Sequence, residues 1–215
     1  MERELERQFR SALFERAVLS PPKVSPAVRQ THPEALSVFK DAYNLEFLGL
    51  PPVHAEADLH RGLLEQLRVF LIELGRDFCF VGSEYPVQVG GRDFALDLLF
   101  FHRGLNCLVA IELKVGEFEP EYLGKLNFYL SAVDDLYRNG PDAPTIGLLL
   151  CETNNSALAE YALRDVAKPI GVSTYRVTRE LPGAIRDELP TVEDLQEVVT
   201  KLRSEMEQLR QERDE

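Results

Sequence analysis

Histidine and cysteine are scarce in this chain of 215 residues, with four of the first and three of the second. His32, His54, His60 and His102 fit no metal-ligand spacing such as H-E-x-x-H, which argues against a histidine zinc site. Cys79, Cys107 and Cys151 form an odd number without paired spacing, and each lies in an apolar run. They read as buried free thiols, not as a disulfide or a zinc cage. No apolar stretch approaches the roughly 20 residues of a membrane span. The N-terminal "MERELERQFR" also lacks the apolar centre of a signal peptide, so the expected location is cytoplasmic, with no membrane partner. Positive charge is short too: 24 bases against 36 acids leave a net charge of -12, which speaks against a protein that coats nucleic acid through a basic face. An enzyme acting on nucleic acid stays compatible with that charge, because carboxylates that hold metal ions add acidity at the site itself. Part of the excess is also peripheral, since ten acids and five bases follow from Arg186 onward.

What is present is a 45% hydrophobic chain, enough for one large domain with a substantial core. Residues 1–18 read as a helix, with Leu5, Phe9 and Leu13 on one stripe, broken by the prolines of "SPPKVSP". Together with a short helical stretch before the "PP" at 51 and 52, residues 1–52 read as a helical appendage. From Glu56 to Leu74, Leu59, Leu63, Leu67, Phe70 and Leu74 give one amphipathic helix ended by Gly75. Three strand patterns follow as a meander, with a tight turn at Gly90-Gly91 and another turn at "RGLN". A helix, a strand, a helix and a last strand complete an α-β-β-β-α-β-α-β order over residues 53–185. That order predicts a three-layer α/β domain whose central sheet mixes an antiparallel meander with parallel crossover strands. Residues 190–215 read as a final helix in which Val192, Leu195, Val199, Leu202, Met206 and Leu209 make an a/d pattern. Homodimerisation through it, packing on the chain's own domain, and docking to another protein all fit that pattern.

Within the meander, "LDLLFFHRGLNCLVAIELK" sets Asp97, Glu112 and Lys114 into an otherwise apolar run. Strand alternation sends Glu112 and Lys114 to one face and Leu113 to the other. If the hairpin closes symmetrically about Gly104-Leu105, Asp97 lies opposite Glu112 and Ala95 opposite Lys114. Opposed side chains have Cβ atoms about 4.5 to 5.5 Å apart, so the two carboxylates approach one point. Two like charges that close repel unless something sits between them. A divalent cation is the natural candidate, because Mg²⁺ is typically bound by one or two carboxylates plus water and substrate phosphate. The bland alternatives are a buried or half-exposed ion network, or strand ends that carry the three charges into solvent; burying them for structure alone is costly, since desolvation usually exceeds what pairing returns.

Asp97 followed by "IELK" resembles the D-x(n)-(D/E)-x-K signature of the PD-(D/E)XK nuclease superfamily, and the element order matches its core. More specifically, "GRDFCFVGSEYPVQVGGRDFALDLLFFHRGLNCLVAIELKVGEFEPEYLGKLNFYLSAVDDL" and "EYALRDVAKPIGVSTYRVTRELP" look like the YhcG-type group, over roughly residues 55–182. "LERQFRSALFERAVLSPPKVSP" looks like the end of that family's preceding helical domain. The resemblance implies a restriction-endonuclease-like core and a Mg²⁺-dependent nuclease, with Mn²⁺ able to substitute. It implies Asp97 and Glu112 as metal ligands, the main-chain carbonyl of Leu113 as a third, and Lys114 orienting water or stabilising charge on the phosphate. Related nucleases often add an acid from the first core helix, for which Glu65 is the positional candidate, though it falls opposite the apolar stripe. Some carry Q-x-x-x-Y in the helix after the E-x-K strand; here Lys125 and Tyr129 stand there, as a phosphate contact and as a cleft or core residue. Gln88 is a further candidate for facing the cleft. The implied substrate is DNA, with RNA left open, cleaved by an endonuclease, and the C-terminal heptads make a homodimer the expected oligomer. The alternative reading is a nuclease-fold binding or scaffold subunit that has little activity alone and acts within a larger assembly.

Overall fold

The computed structural model of the chain describes residues 23–177. The helix expected over residues 1–18 and the heptad helix expected over 190–215, with any dimer contact through it, lie outside the described residues. Chain order is β1 (Lys23–Val24), α1 (Pro26–Thr31), α2 (Ala35–Val38), β2 (Ala42–Asn44), a 3-10 turn (Glu46–Leu48), α3 (Glu56–Glu65) and α4 (Leu67–Leu74). It continues with β3 (Phe78–Val89), β4 (Arg92–His102), β5 (Cys107–Leu113), α5 (Tyr122–Leu136), β6 (Ala143–Cys151), α6 (Ser156–Leu163) and β7 (Ile170–Arg176).

The strands form one sheet in the order β1-β7-β6-β5-β4-β3, with β2 also on β7. β3, β4 and β5 are antiparallel neighbours, whereas β5, β6 and β7 run parallel through helical crossovers, as the element order predicts. Gly90 and Gly91 both have positive φ, at 58° and 74°, and Val89 pairs with Arg92, so the expected two-residue turn closes the β3–β4 hairpin. Each face of the sheet carries its own core. One gathers Leu59, Leu63, Phe70 and Leu74 of α3 and α4 over Leu98, Phe100, Val109 and Ile111. The other gathers Leu123, Leu126, Tyr129 and Leu130 of α5 and Leu163 of α6 over Leu96, Leu99, Ala110 and Leu149. This is the three-layer restriction-endonuclease-like arrangement, and it places β5, buried at every position, at its centre.

Three expectations differ. Residues 23–50 are not appended to the domain: β1 and β2 extend the sheet at β7, and Val28, Phe39, Tyr43 and Leu45 enter the first core. A short two- or three-residue strand has too little periodicity to be seen in sequence, which is why this stretch reads as a connection. The helix of residues 56–74 is interrupted at Gln66, whose φ of -107° and ψ of 26° end α3 before α4 begins. Cys79 is exposed on the edge strand β3, while Cys107 and Cys151 are buried, and all three thiols are free. Burial pushes the Cys107 and Cys151 thiols up to about 12, which makes them inert.

Candidate active site

The β4–β5 pairing follows the symmetric closure from His102↔Cys107 through Leu98↔Ile111. The ladder ends there, one position short of Asp97 and Glu112. The β3–β4 ladder is also interrupted at Asp97: it passes from Ser83↔Leu98 to Tyr85↔Leu96, and the skipped Glu84 has φ of 44°. Leu98 and Phe100 face one core while Phe94 and Leu96 face the other, so side-chain alternation along β4 reverses at Asp97. The freed main-chain carbonyl of Asp97 lies 3.1 Å from Nε2 of His60 on α3. Its carboxylate Oδ2 accepts the Leu113 N–H at 2.8 Å, tying the two strands where their ladder stops. A strand irregularity of this kind re-aims a side chain out of the pleat.

Glu112 sits on the α5 side of β5 and is fully buried. Its Oε1 takes two ammonium groups: Lys114 Nζ at 3.2 Å, and Lys125 Nζ from the first turns of α5 in direct contact. Its Oε2 is buried and has no hydrogen-bond partner. Burial raises the Glu112 carboxyl above its ordinary value, the Asp97 charge raises it further, and the hydrogen bond from Lys125 opposes both. Asp97 is raised as well, first by burial, against the Leu113 N–H and the two lysines. The two acids therefore share one field, and the lysines leave part of its cost uncompensated.

Lys114 follows the last residue of β5. Its Nζ lies 3.0 Å from both carboxylate oxygens of Glu56, the first residue of α3, and donates to the Leu113 carbonyl at 2.8 Å. Burial draws the Lys114 ammonium down, but the acids around it win and its pKa is raised, so it stays charged. Its backbone is held by β6, where Lys114 N–H donates to Leu150 O at 2.8 Å; two residues on, Gly116 N–H donates to Oε2 of Glu152, just past β6, at 3.0 Å. Lys125 resembles Lys114, lowered by burial and raised more by Glu112. Tyr129, one turn on, is 3% exposed, belongs to the core, and donates its hydroxyl to Ala95 O at 2.6 Å.

The sequence-predicted residues thus divide. Asp97, Glu112, Leu113, Lys114 and Lys125 come together, and Tyr129 packs beneath them. Glu65 is exposed at the far end of α3, away from this cluster, because it falls opposite the Leu59/Leu63 stripe. Gln88 is exposed near the β3–β4 turn, where its amide donates to Asp93 Oδ1 at 2.9 Å. Glu56 is the acid that α3 supplies. It stands three and seven residues before Leu59 and Leu63, on the apolar stripe itself, and an acid at such a position is the signal that finds it. Glu152 is a second residue missed, with no signal beyond its place at the end of a buried strand.

The oxygen donors suit a hard divalent cation. Among the described residues no three acid, histidine or cysteine side chains make a ready cage. Two carboxylates with water completing the shell are enough for Mg²⁺, and the orphaned Glu112 Oε2 is a buried acceptor without another use. The Leu113 carbonyl is taken by Lys114 in this structure, so it joins such a shell only if the ammonium releases it.

Residues 36–190 match the family model described as the YhcG PDDEXK nuclease domain. Over 191 residues the chain is 35% identical to YhcG of Escherichia coli (strain K12), a protein that carries its nuclease name provisionally. That alignment takes in 87% of this chain and 51% of the relative, so the chain spans about half the relative's length. A repair endonuclease crystal structure from Pyrococcus abyssi aligns at 18% identity with a TM-score of 0.38, over 59% of this chain and 47% of that one. An EndoMS complex with double-stranded DNA aligns at 18% identity and the same TM-score, over 59% of this chain and 44% of that one. Likenesses this loose add nothing to the site. The match to the family model over most of the chain is sufficient by itself: the chain belongs to the YhcG PDDEXK nuclease-domain family.

Proposed function

We propose that the chain hydrolyses phosphodiester bonds of DNA as an endonuclease, with Asp97 and Glu112 holding a Mg²⁺ or Mn²⁺ ion. The observation that carries this reading is the fully buried Glu112 carboxylate with one oxygen unpartnered, in the field of the half-buried Asp97 and beside a charged Lys114 at the end of a rigid central strand. A divalent cation there would supply positive charge to phosphate oxygens and ease deprotonation of an attacking water. Lys114 adds a fixed positive charge facing the same space, which stabilises the charge that builds on the phosphoryl group. Glu56 fixes the direction of that ammonium, and Asp97 is held in place by the Leu113 N–H. The chain is then organised as a nuclease domain over residues 53–185, with the strands of residues 23–24 and 42–44 added to its sheet, and a C-terminal helix over 190–215 that pairs two copies in the cytoplasm. Cleavage of DNA with Mg²⁺ by the wild type, and its loss in Asp97→Ala and Lys114→Ala, is the expected result. Equal activity in all three would mean a contaminant and would remove the assignment.

The net charge of -12, unfavourable for autonomous binding to nucleic acid, supports a second reading, in which the nuclease fold acts within a larger assembly. Absence of DNA binding at any salt concentration by this chain, with stable dimers in solution, favours that reading; a steep salt dependence favours the first.

A further inference from the structure

The Glu112 carboxylate is shared by two lysines that are held very differently. Lys114 is anchored on Glu56, on the Leu113 carbonyl and on Glu112, and its side chain is only 14% exposed. Lys125 holds Glu112 alone, its side chain is 47% exposed, and its ammonium lies 5.5 Å from the centre of the Tyr129 ring. That ring is itself fixed by the bond to Ala95, so the Lys125 stem has a rigid surface on which to pivot. The local charge balance sharpens the contrast. Three acids (Asp97, Glu112 and Glu56) face two ammoniums, leaving one unit of negative charge; a divalent cation overshoots that by one unit unless a lysine withdraws. Of the two, only Lys125 can withdraw without breaking a network.

We infer that Lys125 is a built-in counter-cation of the carboxylate pair, displaced from Glu112 when a divalent cation binds and thereby released to hold a phosphate of the substrate. The inference rests on the metal-dependent reading above and deepens it. It explains why the α5 lysine is half exposed while its partner is fully buried: the lysine must reach two places, the acid in the metal-free protein and the nucleic-acid backbone in the loaded one. Ion binding and substrate binding then become coupled through one side chain, since an ion that frees Lys125 adds a charge to the substrate surface.

The test uses the full chain, with Mn²⁺ as the probe in calorimetry and duplex DNA in Ca²⁺ as the probe in fluorescence anisotropy. Lys125→Met removes a positive charge a few ångströms from the ion, which predicts Mn²⁺ binding tighter by roughly tenfold or more. The same variant should bind DNA more weakly, with the slope of log affinity against log salt reduced by about one. Lys125→Arg, which keeps the charge and the reach, should behave as the wild type in the salt slope. Mn²⁺ affinity that is unchanged or weakened in Lys125→Met would overturn the inference while leaving the metal site standing. No Mn²⁺ binding by either the wild type or the methionine variant would overturn both.

Discussion

Replacing Glu112 by glutamine should make the metal-free protein more stable. The residue is fully buried, with two ammoniums on one oxygen and nothing on the other, and its carboxyl and that of Asp97 are both raised above their ordinary values. Raised values mean that burial and mutual repulsion outweigh the lysines, so the ionised pair works against folding. Glutamine keeps the shape and removes the repulsion. The partners it abandons are inexpensive to resettle, because Lys125 can turn to water and Lys114 keeps Glu56 and the Leu113 carbonyl. A net gain of about 1 kcal/mol is the scale of one unsatisfied buried group, and for a chain of this size it corresponds to roughly 2–4 °C in Tm. In the wild type, Mn²⁺ at a hundred times its Kd should restore about 2.7 kcal/mol, or roughly 5–11 °C, and Glu112→Gln should lose that shift. The pH dependence has a definite sign. Above the ordinary carboxylate range the folded, metal-free protein still holds protons that the unfolded chain has released, so stability falls as pH rises through the raised values, and falls less in the glutamine variant. Scanning calorimetry with a chelator and with Mn²⁺, across pH, reads all of this. A glutamine variant several degrees less stable without metal would make Glu112 an ordinary structural ion partner, and a retained Mn²⁺ shift would put the ion elsewhere.

Among the described residues, Glu56 is the carboxylate outside β5 that grips Lys114, and Glu56→Gln weakens that grip. Because Glu56 is half exposed, stability should change by less than about 1 kcal/mol, while kcat should fall by roughly tenfold, the equivalent of about 1.4 kcal/mol of lost orientation; unchanged kcat would reduce Glu56 to a surface partner. Gly147 on β6 has no room for a methyl group, since a Cβ there would come within 2.9 Å and 3.0 Å of Leu126 atoms and 3.1 Å of Leu130. Gly147→Ala should cost about 1–3 kcal/mol by overpacking α5 against the sheet, and a Tm equal to the wild type would show that α5 can shift.

Much of the fold is legible in sequence, because long strands and long amphipathic helices carry strong periodicity. The β3–β4–β5 meander, the crossovers of α5 and α6, and the symmetric closure about Gly104-Leu105 all follow from it. What escapes is short or irregular. β1 and β2 are two and three residues long and are defined by pairing with a strand far away in sequence. The site escapes in part for the same reason: strict alternation along β4 fails at Asp97, where both ladders are interrupted, so the carboxylate reaches Leu113 N–H in place of a simple cross-strand position. Glu56 and Lys125 show two kinds of difficulty. The first sits on an apolar helical stripe, where an acid is a visible anomaly. The second is a lysine on an ordinary exposed face, and only the tertiary approach of α5 to β5 gives it a partner.

The central claim is that Asp97 and Glu112 share one divalent cation beside Lys114. Anomalous diffraction from crystals soaked in Mn²⁺ tests it most directly. The account predicts a single strong peak between the two carboxylates, bonded to Glu112 Oε2, with Lys125 withdrawn from Oε1. A peak elsewhere, or none while Lys125 remains on Glu112, would contradict it.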